Sequence, residues 1–156
     1  EIERYGAAET SGTFDYFTET VNGESGAHTD DYQATERDNT IVQGVKGSQY
    51  AIGYFGFSYY QSNQDSVTAV SVDAGDGAVE PTLDNAKNGA YPLARPLFTY
   101  PKVSSLAEDH IAEFARFYVR QSANSSLIAD QIGYVPKTEA EMQSELDALN
   151  EVISNA

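Results

Sequence analysis

The chain has 156 residues, of which 9 are Lys or Arg and 24 are Asp or Glu, so its formal net charge at pH 7 is −15. This excess of carboxylates argues against binding to nucleic acid or to anionic membranes, because both require a basic surface. Cysteine is absent and only two histidines are present, which excludes disulfides and thiolate metal sites, and no metal or cofactor is expected. A chain of this length fits one domain or parts of two.

Apolar spacing and turn residues predict alternating strands and helices over the first two thirds of the chain. The predicted strands are 2–5, 50–56 and 67–72, and residues 6–10, 27–33 and 73–77 are expected to be loops or turns. Helices are predicted to begin at Ser11-Gly12-Thr13 and at Pro81, and another is expected to be capped by Thr35 or Asp38. A short helix or turn is predicted at 57–61. This alternation predicts an α/β fold.

The last third is predicted to be helical. An extended segment at 95–100 lies among Pro92, Pro96 and Pro101, which suits an edge or crossover strand. A long amphipathic helix is predicted to open at Ser104-Ser105, followed by a helical piece at 125–132 and a last helix that begins with a capping box of Thr138 and Glu141. We therefore predict two domains, 1–92 and 93–156. No segment has the roughly 20 apolar residues of a membrane span. The first residues, Glu1 to Gly6, resemble the end of a strand, so we expect a mature or truncated product.

The residues with the clearest chemistry are Ser11, Gly12 and Thr13. Two hydroxyls and a glycine stand where a loop turns into a helix, and the first N–H groups of a helix have no partner within the helix. The helix dipole adds partial positive charge there, so the turn could receive an oxyanion without a cationic side chain. Ser and Thr are also common helix caps for local reasons alone, and both interpretations stay open on the tripeptide itself.

Three blocks in the sequence resemble the phosphate-binding protein of the Pst ABC transporter (PstS-type). They read YGAAETSGTFDYFTETVNG, DYQATERDNTIVQGVKGSQYAIGYFGFSYY and NGAYPLARPLF. The resemblance runs from Tyr5 to the Gly133-Tyr134-Val135-Pro136 segment and corresponds to the second half of such a polypeptide. It implies a type II periplasmic-binding-protein fold, in which two lobes close around one phosphate. This chain would supply the second lobe and a C-terminal helical segment that returns to the absent first lobe.

In that family, the segment matching Ser11, Gly12 and Thr13 gives hydroxyls and backbone N–H groups to the phosphate oxygens. Many members carry an arginine four residues before the serine, where this chain has Ala7, and others carry one where it has Thr29. Arg37 could compensate for them, or it could be an ordinary surface arginine. Glu9 could accept a hydrogen bond from a protonated phosphate oxygen, which would reject sulfate, or it could be a solvated loop carboxylate.

The resemblance predicts a non-enzymatic solute-binding component that captures inorganic phosphate and delivers it to an ABC permease. Such a protein would be periplasmic or extracellular and associated with the membrane through the transporter. Two alternatives belong to other classes. One is a serine-type hydrolase or phosphatase, although His28 and the acidic residues near it show no spacing that supports a Ser-His-Asp set with Ser11. The other is a surface interaction module that has lost ligand binding.

Overall fold

The computed structural model describes residues 1–156, which form five strands and seven α-helices. The strands are β1 Glu3–Ala7, β2 Gln33–Thr35, β3 Ala51–Gly53, β4 Val72–Asp73 and β5 Ala78–Val79. The helices are α1 Gly12–Asn22, α2 Asp38–Gly47, α3 Phe57–Gln61, α4 Leu83–Lys87, α5 Asp109–Gln121, α6 Ser125–Leu127 and α7 Glu139–Ser154. A 3₁₀ turn covers Val103–Ser105, and α6 continues into a π-helical turn, Ile128–Ile132.

The chain divides into two compact units. Unit 1 contains Glu1–Asn85 and Ala90–Leu93, and unit 2 contains Ala86–Gly89 and Ala94–Ala156. None of the helices combines the length and the apolar character that a bilayer crossing requires. The assignment of 1–92 and 93–156 to particular lobes stays a prediction.

Unit 1 is built on a parallel three-stranded sheet in the order β2-β1-β3. Strand β1 is central, with Tyr5 opposite Gln33 on one side and Arg4 opposite Ile52 on the other. Helix α1 connects β1 to β2, and α2 connects β2 to β3, so each pair of parallel strands is joined by a helix. Because β1 lies between the other two strands, the α1 connection leads from the centre of the sheet to β2, and the α2 connection crosses from β2 past β1 to β3.

The two faces of this sheet are covered by different helices. On one face the Tyr5 ring lies so close to Gly44 of α2 that a Cβ there would stand 2.2 Å from a ring carbon. On the other face Gly6 lies against the Tyr54 ring, and that ring stacks on Phe17 of α1 with the centroids 3.9 Å apart.

The core of unit 1 consists of Ala7, Phe14, Thr18, Ile41 and Val42, each less than 5% exposed. Full burial of an aliphatic side chain such as Ile41 or Val42 contributes about 1.5–3 kcal/mol. Unit 2 has its own buried residues, Leu106, Ala112 and Leu146. There Arg116 of α5 donates from Nε to Asn150 Oδ1 of α7 over 2.8 Å, which joins the two long helices.

Several predicted boundaries are wrong. Strand β1 extends to Ala7, into the predicted 6–10 loop, and β2 forms at 33–35, where a loop was expected up to residue 33. Neither Thr35 nor Asp38 is the N-cap of α2, since Thr35 ends β2 and the cap residue is Arg37, which makes no side-chain cap bond. Strand β3 covers only 51–53 of the predicted 50–56. Helix α4 begins at Leu83, two residues after Pro81.

Other predicted elements lack the partners that they would need. Of the predicted strand 67–72, only Val72 pairs, in a two-residue hairpin with β5. Residues 95–100 form no strand, since Pro96 has no N–H to donate and neither sheet includes the segment. Ser104 and Ser105 lie in the 3₁₀ turn, and α5 begins only at Asp109. The capping box of Thr138 and Glu141 at the start of α7 is confirmed.

Candidate anion-binding site

Helix α1 begins at the turn that the sequence singles out. Ser11 is its N-cap, with φ −88° and ψ 129°, and its Oγ accepts from the Thr13 N–H over 3.2 Å. The Ser11 carbonyl accepts from the Phe14 N–H over 2.9 Å and from the Asp15 N–H over 3.2 Å, which closes the first turn. The hydroxyls of Ser11 and Thr13 and the first N–H groups of an 11-residue helix are thereby gathered at one helix end.

This helix end lies at the carboxyl edge of the parallel sheet. Strand β1 ends at Ala7, four residues before Ser11, and the neighbouring β3 ends at Gly53. In open α/β sheets, ligands bind outside the carboxyl ends of the strands. The position of the turn therefore agrees with that of a ligand site.

Two tyrosines meet at the last residue of β1. Tyr32 and Tyr54 each donate a hydroxyl hydrogen bond to the Ala7 carbonyl oxygen, over 3.2 Å and 3.4 Å. Burial raises the pKa of Tyr54 to about 12, with Tyr32 as a second cause. Burial also raises the pKa of Tyr32, helped by the carboxylates of Glu9 and Glu36. Both phenols therefore stay protonated donors at neutral pH. Sequence reasoning missed this pair, because 25 and 47 residues separate the tyrosines from Ala7.

Carboxylates lie around the turn. Glu9 is exposed, and Glu36, which follows β2, accepts a hydrogen bond from the Thr10 hydroxyl. This bond links the loop after β1 to the loop after β2. Burial, with Glu36 as a second cause, raises the pKa of Asp38 in the first turn of α2. An anion at this edge therefore has to be held by nearby dipoles and hydrogen bonds against an acidic surrounding field.

Arg37 stands at the start of α2, as its N-cap residue. It lines a cavity of about 430 Å³ at the start of α2, together with Tyr59 and α2 residues. Ser11, Gly12 and Thr13 are not among the lining residues. Arg4 is paired with Asp31 over 2.6 Å and lies three residues before Ala7, about 10 Å along an extended strand.

His28 belongs to the aromatic packing beneath α1. Its ring centroid lies 4.0 Å from that of Tyr32 and 5.6 Å from that of Phe14. Its Nδ1 lies 3.0 Å from the Thr29 carbonyl oxygen. The Ser11 Oγ accepts a hydrogen bond from the Thr13 N–H as the cap of α1. The structure does not bring three or more His, Asp or Glu side chains together in a group that could hold a metal ion.

Comparison with known proteins places the chain in a family. The PBP superfamily domain matches residues 2–122. The chain belongs to the PBP superfamily. This membership and a structural neighbour described below confirm the predicted α/β, binding-protein-like fold.

Individual relatives of this PBP superfamily chain are considerably longer than it is. It is 43% identical over 141 residues to Protein SphX of Synechocystis sp., covering 88% of this chain and 41% of SphX. It is 32% identical over 149 residues to the phosphate-binding protein PstS of Staphylococcus saprophyticus, covering 94% of this chain and 46% of PstS. The crystal structure of a possible phosphate binding protein from Planctomyces limnophilus matches with a TM-score of 0.80 and 36% identity, over 97% of this chain and 54% of that one. The chain thus spans about two fifths to one half of these proteins.

Proposed function

We propose that this chain is one lobe of a solute-binding protein that captures inorganic phosphate for an ABC transporter, without making or breaking a bond. The observation that carries the proposal is the position of Ser11-Gly12-Thr13 at the start of an 11-residue helix on the carboxyl edge of the sheet. The matching relative from S. saprophyticus is named a phosphate-binding protein. Both support phosphate as the ligand.

In this proposal, the hydroxyls of Ser11 and Thr13 donate to phosphate oxygens together with the N–H groups of Gly12 and Thr13. The Thr13 N–H exchanges its 3.2 Å bond to Ser11 Oγ for one to the ligand. A 3.2 Å bond is long for an N–H donor, so the exchange costs little. Hydrogen bonds to charged groups contribute about 1.5–3 kcal/mol each, which offsets the repulsion from the acidic surface.

Glu9 is the proposed acceptor for a protonated phosphate oxygen. It lies two residues before Ser11 and close enough to Tyr32 to raise the pKa of that phenol. Sulfate is fully ionised at neutral pH, has no proton to donate, and would leave the carboxylate facing an anion. Glu9→Gln should therefore reduce the preference for phosphate over sulfate, measured as the ratio of the two Kd values. An unchanged ratio would assign Glu9 to the solvated loop.

Arg37 is the proposed source of positive charge at the phosphate site. It follows β2, the strand next to β1, and its neighbour Glu36 is already bonded to Thr10 of the first loop. Arg37→Ala should weaken phosphate binding more than Arg37→Lys does, since only the lysine variant keeps the positive charge. Equal affinity in both variants and the unaltered chain would show that Arg37 is a surface residue.

The rest of the proposed protein is a second lobe, which packs against unit 2. Three rings on one side of α5 support this part of the proposal, because Phe114, Phe117 and Tyr118 are 65%, 56% and 54% exposed. An apolar helix face of this kind normally packs against another element. The complete protein would act in the periplasm or outside the cell, held at the membrane through the permease.

The ³¹P NMR linewidth of inorganic phosphate, measured with increasing amounts of the 156-residue chain, tests phosphate capture even if binding is weak. We expect broadening that decreases when excess phosphate lowers the bound fraction and that sulfate at equal ionic strength does not reverse. No broadening, or equal reversal by sulfate, would contradict the proposal and favour an interaction module. Hydrolysis of a chromogenic phosphate ester that Ser11→Ala abolishes would favour a hydrolase instead.

A further inference from the structure

The carbonyl group of Ala7 receives two side-chain donors from different parts of the sheet. Tyr32 approaches from the segment before β2, and Tyr54 from the end of β3. Both O–H···O distances, 3.2 Å and 3.4 Å, exceed the usual 2.7–2.8 Å. Ala7 itself is only 2% exposed, so water is a poor substitute for these donors.

The rings that carry the two hydroxyls are fixed by packing. The Tyr54 ring stacks on Phe17 of α1 with 1° between the planes, and it fills the space above Gly6. The Tyr32 ring lies against His28, with the centroids 4.0 Å apart. A tyrosine held by its ring can position what its hydroxyl contacts, because the phenol has little freedom left to lose.

The bonded carbonyl begins the loop that leads to α1. Immediately after it, the Ala8 N–H donates to the Thr35 carbonyl over 3.1 Å, and the Ala8 carbonyl accepts from the Ser11 N–H over 2.9 Å. A continuous series of bonds therefore runs from the tyrosine hydroxyls through the end of β1 to the N-cap serine. Any shift of the Ala7 peptide moves the acceptor that holds Ser11.

We propose that Tyr32 and Tyr54 are positioning residues, which hold the end of β1 so that Ser11, Gly12 and Thr13 present their donors to one anion in a fixed geometry. This inference rests on the proposed function for its ligand. The tyrosines do not touch the anion. They act through the Ala7 carbonyl, and either hydroxyl can hold that carbonyl when the other is absent.

This shared acceptor predicts a non-additive result. Tyr32→Phe or Tyr54→Phe alone leaves one donor, so phosphate affinity should fall less than about 2-fold. The double variant leaves a buried carbonyl without a partner, which forces the peptide to move. Its phosphate Kd should rise by about 5- to 10-fold, or about 1–1.4 kcal/mol. Interaction between two substitutions on one acceptor is the expected signature of a shared contact.

The experiment titrates inorganic phosphate into the ¹⁵N,¹³C-labelled chain and its variants, and follows the amide signals of Ser11–Thr13 and the carbonyl ¹³C signal of Ala7. Tyr50→Phe is the matched control, since this tyrosine flanks β3 at its other end and its side chain is exposed. The control should bind phosphate as the unaltered chain does. Thermal unfolding gives the Tm of each variant. The phosphate titrations are then run at a temperature where all variants are folded, so that a loss of affinity is not a loss of stability.

Each outcome decides the inference. A double variant with a lower Tm but unchanged phosphate Kd would overturn it, because the tyrosines would then be merely structural. Additive losses in the two single variants would overturn the shared-acceptor mechanism. If the unaltered chain does not bind phosphate, the proposed function fails, and the inference is then judged by the free-chain spectra. In those spectra, Ser11–Thr13 amide signals at the same positions in the double variant and in the unaltered chain would overturn the inference. If the double variant does not fold, the inference predicts that each single variant shifts the Ala7 carbonyl signal. An unshifted signal in both single variants would overturn it.

Discussion

Replacing Ser11 with aspartate separates the two functions of this side chain, capping α1 and donating to an anion. Aspartate is as good an N-cap as serine, so its carboxylate can accept from the Thr13 N–H as the Ser11 Oγ does. A negative charge at a helix N-terminus is also favourable. We therefore expect Ser11→Asp to leave the free energy of unfolding unchanged within about 0.5 kcal/mol.

The same substitution should strongly weaken phosphate binding. Two unit charges 4 Å apart repel by about 4 kcal/mol at an effective dielectric constant of 20. Ser11 is only partly buried, so we reduce this repulsion to about 2 kcal/mol for solvent screening. The lost hydroxyl donor adds about 1.5 kcal/mol. The sum of about 3.5 kcal/mol corresponds to a several-hundred-fold rise in Kd.

Ser11→Ala is the complementary variant. It removes the cap acceptor and should lower the free energy of unfolding by about 1 kcal/mol. It retains the backbone N–H groups and adds no charge, so phosphate affinity should fall by only about 10-fold. Urea unfolding followed by circular dichroism gives the stability, and ³¹P linewidths give the affinity. Phosphate binding by Ser11→Asp at the affinity of the unaltered chain would refute the placement of the anion at this helix end.

Two further predictions concern packing and pH. Gly44→Ala should destabilise the chain by about 1–2 kcal/mol in urea unfolding, because the new Cβ would stand 2.2 Å from the Tyr5 ring. Gly47→Ala in the same helix meets nothing within 4 Å and should be neutral or stabilising, so equal losses at both positions would contradict the packing described. Hydrogen bonds from Thr138 lower the pKa of Glu141 below its ordinary value of 4.5. The charged form is thus favoured in the folded state, and this stability is present above pH 4.5 and lost as the pH falls through the lower, folded pKa. Glu141→Gln, which can keep the cap bonds, should therefore be less stable than the unaltered chain at pH 7 and should match it in acid, as measured by Tm against pH.

The features that the sequence predicts well are those set by local chemistry. Ser11 as an N-cap and the capping box at the start of α7 each depend on residues within one turn. The alternation of strands and helices in unit 1 follows from apolar spacing, as does the α/β class. In these cases the energy that decides the structure comes from neighbours in the chain.

The features that sequence reasoning missed depend on partners far along the chain. Strand β2 is only three residues long, with two of them exposed, and it exists because β1 offers hydrogen bonds. The alternating 67–72 segment resembles a strand but mostly lacks a pairing partner. The contact of Tyr32 and Tyr54 with Ala7 joins three separate segments. Local patterns carry no signal for such contacts, so the turn was predictable while its supporting residues were not.

The most direct test of the central claim is a ¹⁵N amide shift map of the 156-residue chain titrated with inorganic phosphate. The proposal predicts saturating shifts centred on Gly12 and Thr13, with smaller shifts for sulfate at the same ionic strength. Saturating shifts centred on Arg37–Thr40 at the cavity of α2, or the absence of any saturating shift, would contradict it.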